Sequence, residues 1–239
     1  VCFNTIEAGK RHIPKPETWK DLLKPDYKGQ LVMPNPASSG TGYFDVVAWL
    51  QMWGDDDGKG GGWKYMDQLH ENVAQYTHSG SKPCNMAAAG EYTVGISFEY
   101  RGHSNKAKGA PIDLVFPKEG LGWDLEAFAI MKGTKHLEAA KKLANWASSK
   151  DAMILYGKNF AVTAQPGVAP KLANISADYE SRLIKMNFEV AAANRPARGT
   201  GLVAGGGAPR RAAAPRGGPA AAPPQAADAV LEPYRQGLP

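Results

Sequence analysis

The sequence predicts an α/β fold whose sheets are largely parallel. Short apolar runs of strand length alternate with segments of helical length over residues 1–195 of the 239-residue chain. This alternation favours units in which helices cover the faces of a sheet of parallel strands. The hydrophobic fraction of 43% and the charged fraction of 21% are typical of a globular protein with a sizeable core.

The first elements are delimited by prolines and small residues. The apolar start predicts a strand over residues 1–6, and the segment that follows two prolines predicts a single helical turn over residues 17–23. The run Leu-Val-Met stops at Pro-Asn-Pro, which predicts a strand over residues 31–33. The strongly apolar residues 43–53 predict a buried helix.

The middle of the chain continues the alternation. A loop rich in Gly and Asp is predicted at residues 54–62, before an amphipathic helix over residues 63–71 and a strand over residues 73–76. An Ala-rich helix over residues 85–90 and a buried strand over residues 94–98 are predicted next.

The last predicted elements are two strands and two helices. The strands cover residues 112–116 and 127–131, and the helices cover residues 137–149 and 178–193. The helix at residues 137–149 has an apolar face that predicts burial of Leu137, Ala140, Leu143, Ala144 and Ala147.

The two ends of the chain depart from this pattern. The sequence starts in an apolar run, without Met or a signal segment, so we expect that it begins inside a longer protein. Residues 196–239 contain 12 Ala, 8 Gly, 8 Pro and no Lys, which predicts an aberrant, disordered and dispensable tail.

Charge and cysteine content exclude several classes of protein. The net charge is +5, but residues 1–195 hold 23 basic and 21 acidic side chains, so the body indicates no nucleic-acid partner. No apolar run reaches the length of a membrane span. Cys2 and Cys84 could form one bridge or remain as two thiols.

The sequence contains no pattern typical of catalysis or metal binding. The five His are scattered without ligand spacing, and no nucleophile, base and orienting residue can be assigned together. We therefore expect a protein that is not an enzyme and that needs no metal or cofactor.

A run of small and hydroxyl residues predicts an anion site. Ser38, Ser39, Gly40 and Thr41 lie between the strand at residues 31–33 and the helix after it. Free amides at a helix N-terminus, the helix dipole and several hydroxyls together suit an oxyanion. The alternative is an ordinary helix cap, which needs only one hydroxyl.

A second turn of this kind follows the next strand. Ser79 and Ser81 come after the strand at residues 73–76 and before the Ala-rich helix. Because ligands of open α/β sheets bind at the carboxyl ends of the strands, we expect the two turns to face a common ligand.

Acidic residues near these turns could bind a cation. Glu99 follows the strand at residues 94–98, and Asp124 and Glu126 follow Trp123. Donors for an anion combined with carboxylates for a cation suit a small zwitterion. The alternative for each acid is an ordinary surface carboxylate.

Several segments, in order along residues 1–195, resemble bacterial extracellular solute-binding proteins of the type II periplasmic fold. This group includes binders of iron(III), of spermidine and putrescine, and of 2-aminoethylphosphonate, and the similarity is greatest to the last. The resemblance implies a monomeric, two-lobed periplasmic protein that closes on a small ligand and delivers it to an ABC permease. The segments are residues 17–22, 29–31, 34–42, 79–83, 88–97, 117–127 and 139–146.

The resemblance also implies a division into lobes. Residues 7–110 would form most of lobe two, and residues 1–6 and 111–116 would be hinge strands. Residues 117–195 would be the C-terminal part of lobe one, which would be incomplete.

The implied ligand is an aminophosphonate. Its phosphonate would bind the first serine turn, with Ser79 and Ser81 opposite. Glu126 matches the amine-binding acid of the family, and Asp124 would assist it.

Two further expectations concern the cation end of the site. Glu99 is the alternative to Asp124 as the carboxylate that assists Glu126, and Trp123 would offer its ring face to the ammonium. Iron binders carry two adjacent tyrosines where this chain has Glu99 and Tyr100, so iron is disfavoured. The alternatives are a polyamine or iron(III) binder of the same fold, or an enzyme that holds a phosphate ester on the serine turns.

Overall fold

The computed structural model describes residues 1–54, 60–168, 175 and 178–193. Most of the predicted Gly/Asp loop, and the whole predicted tail from residue 196, lie outside the described residues. The strands are β1 (Cys2–Asn4), β2 (Leu31–Pro34), β3 (Val73–Thr77), β4 (Val94–Gly95) and β5 (Ile112–Leu114). The α-helices are α1 (Thr5–Arg11), α2 (Gly40–Trp53), α3 (Gly61–His70), α4 (Lys82–Ala88), α5 (Glu99–Ala107), α6 (Leu137–Ala147), α7 (Lys150–Lys158), α8 (Tyr179–Arg182) and α9 (Phe188–Ala193).

The strands form one mixed sheet in the order β3-β2-β4-β1-β5. Strand β2 runs parallel to both β3 and β4, whereas β1 runs antiparallel to β4 and β5. The predicted α/β class is confirmed. The parallel arrangement holds for the three strands that precede α2, α4 and α5, and these are the strands that position the serine turns.

The core is built around aromatic side chains between the sheet and helices α2 and α3. Trp49 packs edge-on against Trp19 and Tyr65, with ring centroids 5.4 and 5.2 Å apart. Trp49 and Trp63 are 1% exposed, and Leu31 of β2 is fully buried. The apolar helix predicted at residues 43–53 therefore does pack against the sheet, although it begins earlier, at Gly40.

A disulfide links Cys2 of β1 to Cys84 of α4, with their Cα atoms 5.4 Å apart. Both half-cystines are buried, and they pack with Ala87 and Ile112. The sequence left open whether these two cysteines pair, and in the structure they do. The bridge joins the sheet to the helix that follows the second serine turn.

The first predicted strand is shorter than expected because Asn4 starts a helix. Its Oδ1 accepts hydrogen bonds from the amides of Ile6 (3.0 Å) and Glu7 (2.9 Å), which caps α1. Helix α1 was not predicted, and neither were α5 and α7. Likewise, the strand predicted at residues 94–98 ends at Gly95.

The prediction of a strand at residues 127–131 is wrong. The segment is irregular and exposed, with Phe128 at 58% and Met131 at 79% exposure. A continuous apolar run forms a strand only where a neighbouring strand can pair with it, and no such neighbour exists within the described ranges.

The burial predicted for α6 is also wrong. The helix is formed, but it has no buried residue, and Leu143 is 66% exposed. The helix predicted at residues 178–193 is divided into α8 and α9, because Leu183 pairs with Leu121 instead of continuing the helix.

Candidate functional site

Three parallel strands end at the same edge of the sheet, and each leads into a helix. Strand β2 is followed by α2, β3 by α4, and β4 by α5. We name the two hydroxyl-rich connections the first turn (residues 35–41) and the second turn (residues 78–81). The edge where they meet is the candidate site.

The first turn is folded by Asn35. Its backbone carbonyl accepts hydrogen bonds from the amides of Ser38 (3.2 Å) and Ser39 (2.9 Å), and its side-chain oxygen accepts from Ala37 (2.8 Å). The amides of Ser38 and Ser39 are therefore committed within the turn. The amides of Gly40 and Thr41, at the start of α2, have no acceptor within the described residues.

Ser39 acts as the N-cap of α2. Its Oγ accepts from the amide of Gly42 at 3.4 Å, and the side chain is 7% exposed. Its hydroxyl therefore caps the helix, so the exposed hydroxyl of this turn is that of Ser38, whereas Thr41 is half-buried.

Replacing Ser39 by Ala is expected to lower the free energy of unfolding by about 1 kcal/mol, because the Gly42 amide loses its cap. Ser81→Ala is the matched control, since Ser81 precedes α4 without a side-chain cap hydrogen bond. Urea denaturation measures both. Equal losses for the two variants would contradict the assignment of Ser39 as the cap.

The second turn is held by hydroxyls on both sides of it. Thr77 Oγ1 donates to the carbonyl of Ser79 at 2.8 Å, and Ser97 Oγ donates to the carbonyl of Gly80 at 2.5 Å. The hydroxyls of Ser79 and Ser81 lie 3.0 Å apart and are accessible. The backbone of the turn is therefore fixed by Thr77 and Ser97, and the turn carries an accessible pair of hydroxyls.

The two turns lie side by side. The amide of Asn35 donates to the carbonyl of Thr77 at 2.7 Å, and Ser38 Oγ lies 2.8 Å from His78 Nδ1. Gly80 packs so closely on Thr41 that an added Cβ would lie 2.1 Å from Thr41 Oγ1. Glycine is thus required for this approach, and the predicted serine residues of both turns are brought together.

The third connection, after β4, adds aromatic residues to the same edge. Phe98 stacks on Tyr100 with ring centroids 4.6 Å apart, and it also lies against Gly80. Glu99 is in the first turn of α5, and the guanidinium of Arg101 lies 5.5 Å from the ring centroid of Tyr100. The structure therefore places Glu99 and Tyr100 beside the serine turns.

For the remaining predicted site residues, the described part of the chain shows contacts elsewhere. Trp123 Nε1 donates to the carbonyl of Ile184 at 2.7 Å, and its ring packs edge-on against Phe188. Asp124 and Glu126 are exposed, and no contact joins either of them to the turns within the described part of the chain. Their role in binding an ammonium stays a prediction.

Sequence reasoning missed two polar residues at the site. His78 bridges the turns, and its only signal in the sequence was its position between two hydroxyl residues, Thr77 and Ser79. Asp45 lies one helical turn after Thr41, and its Oδ2 is buried without a hydrogen-bond partner among the described residues. Burial raises the pKa of Asp45 to about 7, an effect that the N-terminal ammonium opposes. Nothing in the sequence indicated this burial.

The described residues give no sign of a metal centre or of a membrane span. No group of three or more His, Cys, Asp or Glu side chains in them could hold a metal ion. None of their helices has both the length and the apolar character needed to cross a bilayer.

Comparison with protein families gives a match over most of the chain. The family described as bacterial extracellular solute-binding protein matches residues 1–181. An uncharacterized protein of Haemophilus influenzae is 38% identical over 156 residues, which are 65% of this chain and 44% of that protein. The spermidine/putrescine-binding periplasmic protein of Escherichia coli is 31% identical over 140 residues, which are 56% of this chain and 38% of that protein.

A solved structure is similar as well. It is the periplasmic binding protein AfuA from Actinobacillus pleuropneumoniae, solved with fructose-6-phosphate bound. The TM-score is 0.67 at 35% identity, and the match covers 80% of this chain and 59% of AfuA. The chain thus spans about 40% of the length of the two sequence relatives and less than two thirds of AfuA.

Proposed function

Because the chain belongs to the bacterial extracellular solute-binding protein family, we propose that it is the substrate-binding component of an ABC importer. Its ligand is a small organic molecule with a phosphonate or phosphate head group, and the two serine turns bind that head group. The protein works outside the cytoplasmic membrane and hands the ligand to a permease. The periplasmic binding protein fold, which AfuA shares, supports a role in binding and not in catalysis.

The observation that carries this proposal is the set of donors at the sheet edge. Free amides at Gly40 and Thr41 and accessible hydroxyls at Ser38, Ser79 and Ser81 lie on two adjacent turns. Donors fixed by the backbone suit an oxyanion, because they lose little entropy on binding. A polyamine would need carboxylates at this place; the first and second turns contain none, and Glu99, at the start of α5, would supply a single one.

Two ligands represent the two forms of this head group. 2-Aminoethylphosphonate is the ligand expected from the sequence, and its ammonium would bind Glu126. Fructose-6-phosphate is the second candidate, because AfuA, which is 35% identical, was solved with that sugar phosphate. Both would present three terminal phosphorus-bound oxygens to the serine turns, and they differ in what the rest of the site must recognise.

Titration of the 239-residue chain with 2-aminoethylphosphonate, fructose-6-phosphate and spermidine tests the proposal. Amide NMR is the readout, since it detects weak binding, and the amides of Gly40 and Thr41 are expected to shift with the two phosphorus compounds only. A chain that responds to spermidine alone would overturn the assignment of an anion site.

The Glu126→Gln variant separates the two ligands. If Glu126 binds the ammonium, the variant is expected to bind 2-aminoethylphosphonate about 10–100-fold more weakly, because a charged hydrogen bond is lost. Binding of fructose-6-phosphate should be unchanged, and Glu138→Gln on the exposed face of α6 is the control. Equal losses for both ligands would contradict the predicted role of Glu126.

A further inference from the structure

His78 and Ser38 join the two turns through their side chains. Ser38 Oγ lies 2.8 Å from His78 Nδ1, and both side chains are exposed at the sheet edge. Within the described residues this is the one side-chain hydrogen bond between the first and second turns, and His78 has no other hydrogen-bond partner there. The pair is therefore accessible to a ligand that binds the turns.

The positions of the two protons on this pair decide which hydrogen bonds it can make with a ligand. A neutral imidazole carries one N–H and one acceptor nitrogen, and the serine carries one O–H. If Ser38 donates to Nδ1, the proton of the imidazole is on Nε2 and can be donated to a ligand oxygen. If Nδ1–H donates to Ser38, the hydroxyl proton is free for the ligand, and Nε2 becomes an acceptor.

The pair can therefore bind a protonated or an unprotonated oxygen by exchanging these two arrangements. A phosphate or phosphonate near neutral pH is present partly with one proton, since its second pKa is about 6 or somewhat higher. Sulfate carries no proton under these conditions and can only accept hydrogen bonds. The amides of Gly40 and Thr41 are donors only and treat both anions alike, whereas the hydroxyls of Ser79 and Ser81 can donate or accept and support the same preference as the pair.

We propose that His78, acting with Ser38, makes this site select phosphoryl and phosphonyl groups over sulfate. This inference rests on the proposed function, and it adds the residue pair that sets the choice of anion. His78 contributes in two ways: it positions the Ser38 hydroxyl, and it presents Nε2 to the ligand.

Amide NMR titrations of the full chain with sodium phosphate and with sodium sulfate, at equal ionic strength and one pH, test the inference. The affinity for phosphate is expected to exceed that for sulfate by about 3–10-fold, the value of one net hydrogen bond. His78→Leu should remove most of this preference by weakening phosphate binding. His78→Gln should restore part of it, because the amide group can both donate and accept.

Three further variants make the outcome specific. Ser38→Ala should reduce the preference as His78→Leu does, and the double variant should lose no more than either single variant. His136→Leu, at an exposed histidine before α6, is the control and should keep the preference of the unchanged protein. Because His78→Gln and Ser38→Ala are mild surface changes, they carry the test if His78→Leu does not fold.

The results distinguish failure of this inference from failure of the proposed function. If the unchanged protein binds phosphate and the His78 variants keep the full preference over sulfate, the inference is wrong and the anion site stands. If neither anion shifts the amides of Gly40 and Thr41 in the unchanged protein, both proposals are wrong.

Discussion

The double variant Cys2→Ala/Cys84→Ala is expected to lose roughly 4 kcal/mol of unfolding free energy, because a bridge that closes a long loop lowers the conformational entropy of the unfolded chain by about this much. The two cysteines are 82 residues apart in sequence, so the bridge removes many conformations from the unfolded chain. Urea denaturation, compared through the midpoint and the slope, measures the loss.

The reduced protein is the matched control for this variant. Under reducing conditions that open the bridge in the unfolded state, the unchanged protein should fall to nearly the stability of the double variant. Under oxidising conditions the two should differ by the full amount. A difference below about 1 kcal/mol under oxidising conditions would mean that the unfolded chain is already compact around these cysteines.

The second large effect is expected from Gly42→Ala in α2. An added Cβ would lie 2.6 Å from the carbonyl oxygen of Pro34 and 2.9 Å from the carbonyl carbon of Asn35. These are backbone atoms of β2 and of the first turn, so the helix start must move away from the strand. We expect a loss of about 1–3 kcal/mol in stability, as for overpacked cores. Phosphate binding should also weaken, because the amides of Gly40 and Thr41 move.

Gly9→Ala is the control for that substitution. Gly9 lies in helix α1, is exposed and has no atom within 4 Å of an added Cβ. There, alanine should raise stability by about 0.5–1 kcal/mol, because it loses less conformational entropy than glycine on forming a helix. Thermal unfolding and phosphate titration of both variants measure the contrast. Stability changes of the same sign would contradict the close approach at Gly42.

The sequence predicted the elements whose apolar residues face the core. Strands β2 and β3 and helices α2 and α3 combine apolar runs with clear turn signals, and their large side chains are buried as expected. Helix α5 was missed because its sequence is polar and contains Gly102, and propensity disfavours a helix there. The structure explains that glycine, since an added Cβ would lie 2.6 Å from Leu114 of β5.

The candidate site was predictable only in part, for a physical reason. Hydroxyl residues between a strand and a helix are a local signal, so Ser38 and Ser79 could be recognised from the sequence alone. The contact between Ser38 and His78 depends on the register of β2 against β3, in which Pro34 pairs with Thr77. Register is a property of the folded sheet, and no local pattern in this chain specified it.

The way the turns are secured has a consequence for how specificity can change. Their backbones are fixed by Asn35, Thr77 and Ser97, whereas the side chains of Ser38, Ser79 and Ser81 contribute no helix cap. The residues proposed to recognise the ligand are thus different from the residues that hold the fold of the same short segments. Mutations at the proposed recognition positions are therefore expected to leave the fold intact, so that new ligand preferences would be open to natural variation and to the design of sensors on this scaffold.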